Sequence, residues 1–394
     1  MRKPMIIFVR SSALDRDIRL PKEIVALNQA GYRTKLLYWD RDCCINETKK
    51  LKGCEDIPLR LKAPWGIKIL PFLPIWWSFV FICLLITSYD VIHAVNFDCI
   101  IPSLIAGRLK RKYVVYEILD IYEEQIPLPR AIKSILLKVD KLFMRLADAV
   151  IIADEAQIEG IGGIPNPKVV PIYDSPPNIS IGEYIREEST CQPNKPFTLF
   201  YAGALYKARR LNLEKVLEAI RDLNGVKLVI AGYGDLVDEI RKWMSQMPDK
   251  VEFIGKISYQ EVIQRGNSDA DLFFILRDSA IPINRFTCGS NLFNAMICGK
   301  PILANKGSST AAKVHENNCG LVVDANNVEE IKKAIIKLRD NPELCKELGA
   351  NGRRAYEHKY SWEIMEHRLV SLYQKLTMKL ERDKKGRIIS RMDK

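Results

Sequence analysis

Residues 197–212 read FTLFYAGALYKARRLN, a stretch that contains the end of a strand, a glycine and the start of a helix. The apolar run before Gly203 has the length of a strand, and the cations Lys207, Arg209 and Arg210 follow it closely. Glycine lets the backbone approach a ligand, and the amino end of the next helix favours anions. The stretch therefore predicts a diphosphate site, with a plain turn carrying solvated cations as the alternative.

A second turn, AGYGD (231–235), ends another apolar run with Gly232 and Gly234 and opens a helix. The later glycine of a dinucleotide-binding fingerprint is missing, which argues against an oxidoreductase with a dinucleotide cofactor. Open α/β sheets bind their ligands at the carboxyl ends of the strands. We therefore expect Gly232 and Gly234 at a ligand-binding edge, and a turn without further function is the alternative.

A third turn, CGSNLFNAMICGKPILAN (288–305), leads from small residues into a short helix and then into a strand. Ser290, Asn291 and Asn294 fall on the first turns of that helix. Their side chains can hydrogen-bond ribose or sugar hydroxyls, and the helix N-terminus can hold a phosphate. Capping of the helix by Ser290 or Asn291 without a ligand is the alternative. The three turns come from one domain, each at the carboxyl end of a predicted parallel strand, and we expect them to converge on one crevice.

Apolar runs of strand length alternate with helical patterns along the whole chain. Strands are predicted at 4–9, 34–39, 91–95, 112–118 and 149–154, and again at 197–203, 226–232, 251–255, 270–276, 301–305 and 320–324. Strands separated by helices indicate parallel, doubly wound sheets. The pattern therefore predicts an α/β fold of two doubly wound domains.

The polar stretch TCQPNKP (190–196) separates the two series of strands. Polar, proline-containing segments of this kind are typical of linkers. The predicted divisions are a first domain at 1–180, a linker at 181–196, a second domain at 197–358, a C-terminal helix at 359–380 and a basic tail at 381–394.

Residues 69–88 read ILPFLPIWWSFVFICLLITS and contain no charge. By length the segment can span a bilayer, but spanning would separate the first strands from their own sheet. A buried helix of the first domain is the second interpretation. The third, which the tryptophans favour, is a helix on the sheet that exposes Trp76, Trp77 and Phe79 to the lipid interface.

The 394 residues carry a net charge of +12, which suits an anionic partner such as a phosphorylated substrate or lipid. No helix-turn-helix pattern or interleaving of aromatic and basic residues accompanies the charge, so we expect no nucleic-acid partner. The ten cysteines form no C-x-x-C pair, which argues against zinc and favours a reducing cytosol. We expect no secretory leader, because the apolar run at 6–9 is short and charges follow it. We expect no metal, because no Asp-x-Asp suggests a divalent-metal diphosphate site.

From about residue 4 to 375 the chain resembles the retaining glycosyltransferases of the family 4 type, which have the GT-B fold. The stretches that carry the resemblance are DVIHA (90–94), VVYEILDIY (114–122), VVPIYDSPP (169–177), FYAGALYKARRL (200–211), AGYGD (231–235), residues 288–305 and KYSW (359–362). The resemblance implies two Rossmann-like domains facing each other across a cleft. It also implies a C-terminal helix, starting at KYSW, that crosses back to the first domain.

The resemblance assigns Gly203 and Arg209 to the diphosphate of a nucleotide-sugar donor. Asn294 stands where the family commonly has a Glu that holds the ribose, and Asn291 where many members have a Lys. Replacing Glu by Asn removes a charge-assisted pair of bonds and would weaken donor binding by roughly 1–2 kcal/mol. Arg210 stands where a Gly is usual, and Ala204 where many members have an Arg.

In the first domain, Leu119 stands where the family often has a His, and Asp120 matches the Asp of the "Y-D-x-x-D" subgroup. Asp120 is a candidate acceptor contact or catalytic base, with a cap or turn aspartate as the alternative. His93 ends a strand near the expected crevice and is a second acceptor-side candidate, with a structural histidine as the alternative.

The resemblance thus predicts transfer of a sugar from a nucleotide-diphosphate donor to a glycan or lipid-linked acceptor. Such a protein would work in the cytoplasm at the inner surface of the membrane, bound peripherally, and would need no cofactor and no metal. The alternative, which Asn291 and Asn294 favour, is a catalytically degenerate subunit that acts as a scaffold or regulator.

Overall fold

The computed structural model describes residues 3–12, 19–43, 51, 53–64, 66–121, 129–177 and 195–392, without the side chains of Arg209 and residues 383–392. The chain divides into two compact units. Unit 1 comprises Met1–Ile172 and Met365–Lys394, and unit 2 comprises Tyr173–Ile364. The predicted linker at 181–196 falls almost wholly outside the described residues.

Unit 1 alternates strands and helices from its first described residues. Its elements are β1 (Met5–Arg10), α1 (Arg19–Gln29), β2 (Arg33–Asp40), β3 (Cys54–Arg60), a 3₁₀ segment (Gly66–Phe72), α2 (Leu73–Ile86), β4 (Val91–Val95), α3 (Phe97–Lys110), β5 (Tyr113–Ile118), α4 (Arg130–Leu146), β6 (Ala149–Ile152), α5 (Ala156–Gly160) and β7 (Val169–Pro171). The seven strands pair in the order β3-β2-β1-β4-β5-β6-β7, and all pairings are parallel. The strand order reverses between β1 and β4.

The segment at 69–88 forms a helix of unit 1 whose inner face is buried, as its second interpretation predicted. Gly66–Ile86 is long and apolar enough to cross a membrane by length and composition, a test that core helices also pass. Here α2 joins two strands of one sheet, and Trp76 on its inner face is wholly buried and donates to the Asp98 carbonyl. The expected exposure of Trp76 is therefore wrong, because its ring stacks on Trp39 in the core. Trp77 is half-buried and donates to the same carbonyl, while Ile82 and Ile86 face outward.

Unit 2 repeats the alternation of strands and helices. Its elements are β8 (Phe197–Ala204), a 3₁₀ turn (Lys207–Arg209), α6 (Leu213–Ile220), β9 (Val226–Tyr233), α7 (Val237–Gln246), β10 (Val251–Gly255), α8 (Tyr259–Ser268), β11 (Leu272–Ile275), α9 (Pro282–Phe286), α10 (Ser290–Ile297), β12 (Ile302–Asn305), α11 (Ser309–Asn317), β13 (Gly320–Val323), α12 (Val328–Arg339), α13 (Pro342–Ala355) and a π-helical turn (Tyr356–Tyr360). The strands pair in parallel in the order β10-β9-β8-β11-β12-β13. The prediction of two doubly wound α/β domains is confirmed.

Two boundaries differ from the sequence-based expectation. The last helix, α14 (Trp362–Met392), includes most of the predicted basic tail, because its Lys, Arg and Glu residues are good helix formers. Residues from Met365 onward group with unit 1. The division between the units comes at Tyr173, earlier than the expected position 180, because the Tyr173 ring packs on Phe293 and Tyr360 of unit 2.

Candidate functional site

The candidate site lies in unit 2, where the strand order reverses between β8 and β11. Ligands of open α/β sheets bind beyond the carboxyl ends of the strands at such a reversal. Gly203 lies at the carboxyl end of β8 with φ +157°, a value that side-chain-bearing residues rarely adopt. A Cβ added there would come no closer than 3.5 Å to a neighbour, the Tyr201 hydroxyl. Backbone conformation therefore favours glycine here, while a Cβ would make only ordinary van der Waals contact with the Tyr201 ring.

The first two predicted turns lie against each other. A Cβ added to Gly232 would come within 2.0 Å of the Gly203 carbonyl oxygen, and one added to Gly234 within 2.3 Å of the Leu205 carbonyl oxygen. The Leu205 amide donates to the Tyr233 carbonyl at 2.8 Å, which holds the two turns together. Both glycines are thus required by the close approach of the first turn, and the two turns form one continuous edge.

The predicted cations of the first turn lie on its outer side. Lys207 is exposed and forms an ion pair with Glu239 on α7, and this hydrogen bond raises the pKa of the lysine. The Lys207 backbone amide donates to the Asp235 carboxylate at 2.7 Å. The side chain of Arg209 lies outside the described part of the structure. A diphosphate would have to displace Glu239 from Lys207, and this requires little energy because solvent screens exposed ion pairs.

Arg210 adopts the left-handed conformation, with φ +42°. Its exposed guanidinium pairs with Asp278 at 3.0 Å, and its carbonyl accepts from the Asp278 amide at 3.1 Å. The first turn is thereby tied to the loop after β11. The family that the chain resembles usually has a glycine at this position, and a glycine would adopt the same conformation without strain.

Because of this strain we expect Arg210→Gly to be more stable than Arg210→Ala. Both variants lose the exposed pair with Asp278, but only the alanine keeps a Cβ in the left-handed region, which disfavours it by roughly 1–2 kcal/mol. Urea unfolding of the two purified variants measures the difference. Equal stability, or a more stable alanine variant, would show that the turn relaxes to another conformation.

Arg277 is a site cation that the sequence analysis missed. It lies two residues beyond β11, and its Nη2 lies 3.4 Å from the Tyr201 hydroxyl beside the first turn. Its Nη1 lies 3.6 Å from the position that a Cβ on Gly289 would occupy, at the start of the third turn. Asn305 on β12 donates to the Arg277 carbonyl at 2.7 Å. The only sequence signal was a cation immediately after an apolar strand.

The third turn starts α10 without a side-chain cap. Gly289 is the N-cap residue and has no side chain to bond the first amides, so capping by Ser290 or Asn291 is not observed. Ser290 is the first helical residue and is half-buried. The amino end of α10 thus retains its positive dipole close to Arg277, an arrangement that suits an anion.

Asn291 and Asn294 lie on the inner side of α10, and each is only 2% exposed. The Tyr259 hydroxyl donates to Asn294 Oδ1 at 2.9 Å, and Asn294 Nδ2 donates to Asn291 Oδ1 at 3.4 Å. Burial raises the pKa of Tyr259 well above its usual value, so the phenol remains a donor. An amide oxygen has a second lone pair and an amide nitrogen a second hydrogen. A ribose contact by these two residues stays a prediction.

Asp120 lies two residues beyond β5 in unit 1 and is half-buried. Its neighbour Leu119 is fixed by two bonds, since the Leu119 amide donates to Asn96 Oδ1 at 3.1 Å and Gln157 donates to the Leu119 carbonyl at 2.9 Å. Asn96 itself follows β4 with φ +68° and ψ 169°, a region almost reserved for glycine. Asn96 is therefore a second residue that sequence reasoning missed, and it positions the loop that carries Asp120.

His93 belongs to a buried polar cluster of unit 1. Its Nε2 lies 3.1 Å from Glu117, its Nδ1 lies 2.8 Å from the Tyr373 hydroxyl of α14, and its ring stacks on Phe8. The side chain has no exposed surface. These contacts are those of a core histidine, which was the alternative interpretation. An acceptor contact stays a prediction and would require this cluster to open.

The same cluster contains metal-ligating side chains, since ligand atoms of Glu23, His93 and Glu117 lie within 4.8 Å of one another. The Arg19 guanidinium lies 2.9 Å from Glu23 and 2.5 Å from Glu117. It thus already supplies positive charge to both carboxylates. Burial and the neighbouring Glu117 raise the pKa of Glu23, which favours its protonated form. A divalent cation would be repelled by Arg19, and this donor set fits an ion-pair network better than a metal centre.

Known proteins resemble the chain in sequence over part of its length. Residues 185–355 match the family described as Glycosyl transferases group 1. A GDP-mannose-dependent monoacylated alpha-(1-6)-phosphatidylinositol monomannoside mannosyltransferase of Corynebacterium glutamicum is 30% identical over 151 residues, 38% of this chain and 39% of that protein. An uncharacterised glycosyltransferase of Methanocaldococcus jannaschii is 27% identical over 238 residues, 57% of this chain and 58% of that protein. The matches thus span about half of the relatives' length, or less.

Solved structures resemble the chain over nearly its whole length. A sucrose-phosphate synthase of Thermosynechococcus elongatus has a TM-score of 0.72 at 18% identity, covering 95% of this chain and 99% of its own. HepE of Anabaena, solved with UDP, has a TM-score of 0.69 at 15% identity, covering 94% and 100%. At these identities the likeness concerns the fold. The chain therefore has the GT-B fold of these structures, and its residues 185–355 match the group 1 glycosyltransferases in sequence.

Proposed function

We propose that this protein transfers a sugar from a nucleotide-diphosphate donor to a glycan or lipid-linked acceptor in the synthesis of cell-surface polysaccharide or glycolipid. It would do so in the cytoplasm, peripherally bound to the membrane. The observation that carries the proposal is the single edge of unit 2 where the Gly203 turn, the Gly232–Gly234 turn and the start of α10 come together around Arg277. The group 1 family match over this unit supports it.

The chemistry of such a transfer is governed by the departing diphosphate. Negative charge develops on the leaving group, and preorganised cations and amides stabilise it most strongly in the transition state. Arg277, Lys207 and Arg209 are the cations for this task, and the amides at Gly203 and at the start of α10 are the donors. Retention of configuration, and activity without metal or cofactor, are part of the proposal by resemblance.

The acceptor is assigned to unit 1. Asp120 lies at the carboxyl edge of its sheet, on the loop that the strained Asn96 holds, and would contact the acceptor hydroxyl or accept its proton. The Corynebacterium relative acts, by its name, on a phosphatidylinositol mannoside with GDP-mannose as the donor. A lipid-linked acceptor is therefore the first class to test.

A donor screen tests the proposal. Purified protein is incubated with GDP-mannose, UDP-glucose and other nucleotide sugars, and released nucleotide is measured. In parallel, GDP or UDP at about 100 times its dissociation constant should stabilise the native protein by roughly 2.7 kcal/mol. A degenerate subunit would release no nucleotide and show no thermal shift with any nucleotide. That result would contradict the transferase proposal and favour a role as a scaffold.

For Arg277→Ala we expect kcat with the best donor to fall about a hundred- to a thousandfold, as for loss of one preorganised group in a transition state. The fold should persist, because the contact to Asn305 uses the backbone carbonyl of residue 277. The matched control is Arg221→Ala, which removes an exposed cation from the end of α6 in the same unit. If Arg277→Ala turns over donor as fast as this control, Arg277 does not act in the candidate site.

A further inference from the structure

The outer surface formed by α2, α3 and α4 in unit 1 is apolar. On α2, Ile82 is 56% and Ile86 78% exposed, and on α3 Leu109 is 64% exposed. On α4, Ile135 is 60% and Leu142 48% exposed. Soluble proteins rarely leave so many large aliphatic side chains uncovered on neighbouring helices, and such patches mark interaction sites.

The three helices lie side by side, so these side chains form one surface. The Lys110 ammonium at the end of α3 donates to the carbonyls of Leu84 and Leu85 at the end of α2, at 3.0 and 2.9 Å. Arg108 on α3 donates to the Leu146 carbonyl at the end of α4, at 2.7 Å. The exposed Ile86, Leu109 and Leu146 therefore lie around one end of the helix layer.

Helix α4 is the most uncovered of the three. Of its 17 residues only Asp140 and Met144 are buried. Ile132, Ile135, Leu142 and Leu146 recur at helical spacing and are all exposed. A helix of a globular domain normally turns such a stripe toward the core. In α4 the stripe faces outward, which indicates an apolar environment outside the chain.

The charges of this surface have one sign. The three helices contain two carboxylates, Asp98 and Asp140, and both are buried. Asp140 accepts from the Tyr116 hydroxyl at 2.6 Å inside the domain. In contrast, α4 alone carries five Lys and Arg residues. Lys138 and Arg145 are exposed and follow Ile135 and Leu142 by three residues, so each of these two aliphatic side chains has an exposed cation beside it.

We propose that the outer faces of α2, α3 and α4 together dock on an anionic lipid bilayer. Exposed aliphatic side chains would enter the interface, while Lys138 and Arg145 would contact acidic headgroups. A second copy of the chain is a poor occupant, because a symmetric contact would bring the same cations against each other. This inference deepens the membrane contact of the proposed function, since it names the surface that makes it.

The test is co-sedimentation of the full-length protein with vesicles. The native protein should bind vesicles of equimolar phosphatidylglycerol and phosphatidylcholine, and should bind pure phosphatidylcholine more weakly. The variant Ile135→Ser/Leu142→Ser and the variant Lys138→Glu/Arg145→Glu should each lower partitioning by at least about tenfold. Circular dichroism confirms that each variant is folded.

Matched controls separate the surface from general effects. Val25→Ser/Met378→Ser changes exposed apolar residues on α1 and α14, and Lys333→Glu/Lys337→Glu makes the same charge change on α12. Both controls should bind as the native protein does. The proposal is overturned if the α4 variants bind vesicles as strongly as the native protein. It is also overturned if the native protein does not bind anionic vesicles. If the surface instead joins two copies of the chain, light scattering would show a dimer, and the α4 substitutions would dissociate it.

Donor hydrolysis in solution is measured on the same variants. It uses the site in unit 2 and needs no membrane, so the α4 variants should retain it. Lost vesicle binding with retained hydrolysis supports the docking surface. Absence of hydrolysis in every variant and in the native protein would count against the proposed function while leaving the vesicle result valid.

Discussion

Gly234→Ala is expected to destabilise unit 2 by more than about 4 kcal/mol, a loss that only a forced rearrangement of the backbone produces. The new Cβ would lie 2.3 Å from the Leu205 carbonyl oxygen and 2.6 Å from its carbon. That carbonyl cannot move away easily, because it accepts the Leu236 amide at 3.0 Å. The residue also has φ +147°, which adds strain for any side chain. The Gly203 turn would be displaced, and nucleotide binding should be lost with it.

The control is the same substitution at Gly225. This glycine has φ +69°, but no atom lies within 4 Å of the Cβ position. Gly225→Ala should therefore involve only the conformational penalty of roughly 1–2 kcal/mol. Urea unfolding and nucleotide thermal shift on both variants make the comparison. A Gly234→Ala protein as stable as Gly225→Ala would mean that the two turns do not touch as described, and the candidate site would lose its geometry.

Arg19→Met is expected to lower the free energy of unfolding by about 3–5 kcal/mol at neutral pH, as for breaking a buried ion pair. Arg19 is 4% exposed and is paired with both Glu23 and Glu117. Burial would raise the pKa of Glu117, but Arg19 and the hydrogen bond with His93 lower it below the usual range. Without Arg19 this carboxylate is left buried with Glu23 beside it.

The effect should depend on pH. In the native protein the lowered pKa of Glu117 contributes stability above the unfolded pKa near 4.3, and this is lost as pH falls through the folded value. In Arg19→Met, burial raises the pKa of both carboxyls, so the variant is most stable below about pH 4.3 and loses stability as pH rises. The two stability curves should therefore separate as pH rises from about 2, the folded pKa of Glu117, and should diverge further above about pH 4.3. Parallel curves would contradict the described charges.

Glu23→Gln is the matched control within the cluster. The raised pKa of Glu23 gives stability that is fully present below about pH 4.3 and is lost as pH rises through the folded value. An amide resembles the protonated carboxyl and cannot ionise, so this variant should be at least as stable as the native protein at pH 8. Strong destabilisation by Glu23→Gln would show that Glu23 is the ionised partner of Arg19.

The strands of this protein were predictable because their signals are local. Short runs of mostly apolar residues marked β4 (Val91–Val95), which lies between Asp90 and Asn96, and β10 (Val251–Gly255), which ends at a glycine, with the bounds that the structure has. The edge strand β3 (Cys54–Arg60) was not predicted, because CEDIPLR contains three charges and a proline. An edge strand pairs on one side only, so it tolerates residues that a central strand would exclude.

The turns of the candidate site were predictable in part. Glycines after apolar strands identified the Gly203 and Gly232–Gly234 turns, because glycine at a strand end signals an unusual backbone. Arg277 carried no comparable signal among 60 Lys and Arg residues. It becomes a candidate because β11 pairs with β8, which brings the ends of strands more than 60 positions apart in the chain to one edge.

By itself, the sequence determined the alternation of strands and helices, the two doubly wound sheets and the glycine turns, since these depend on residues adjacent in the chain. Tertiary structure alone decided which way side chains face. Trp76 is buried while Ile86 on the same helix is exposed, and Asn294 points to Tyr259 inside unit 2. The all-apolar helix α2 has no periodic pattern that could indicate its inner face. Its orientation follows from packing against Trp39 and α3, contacts made by residues distant in sequence.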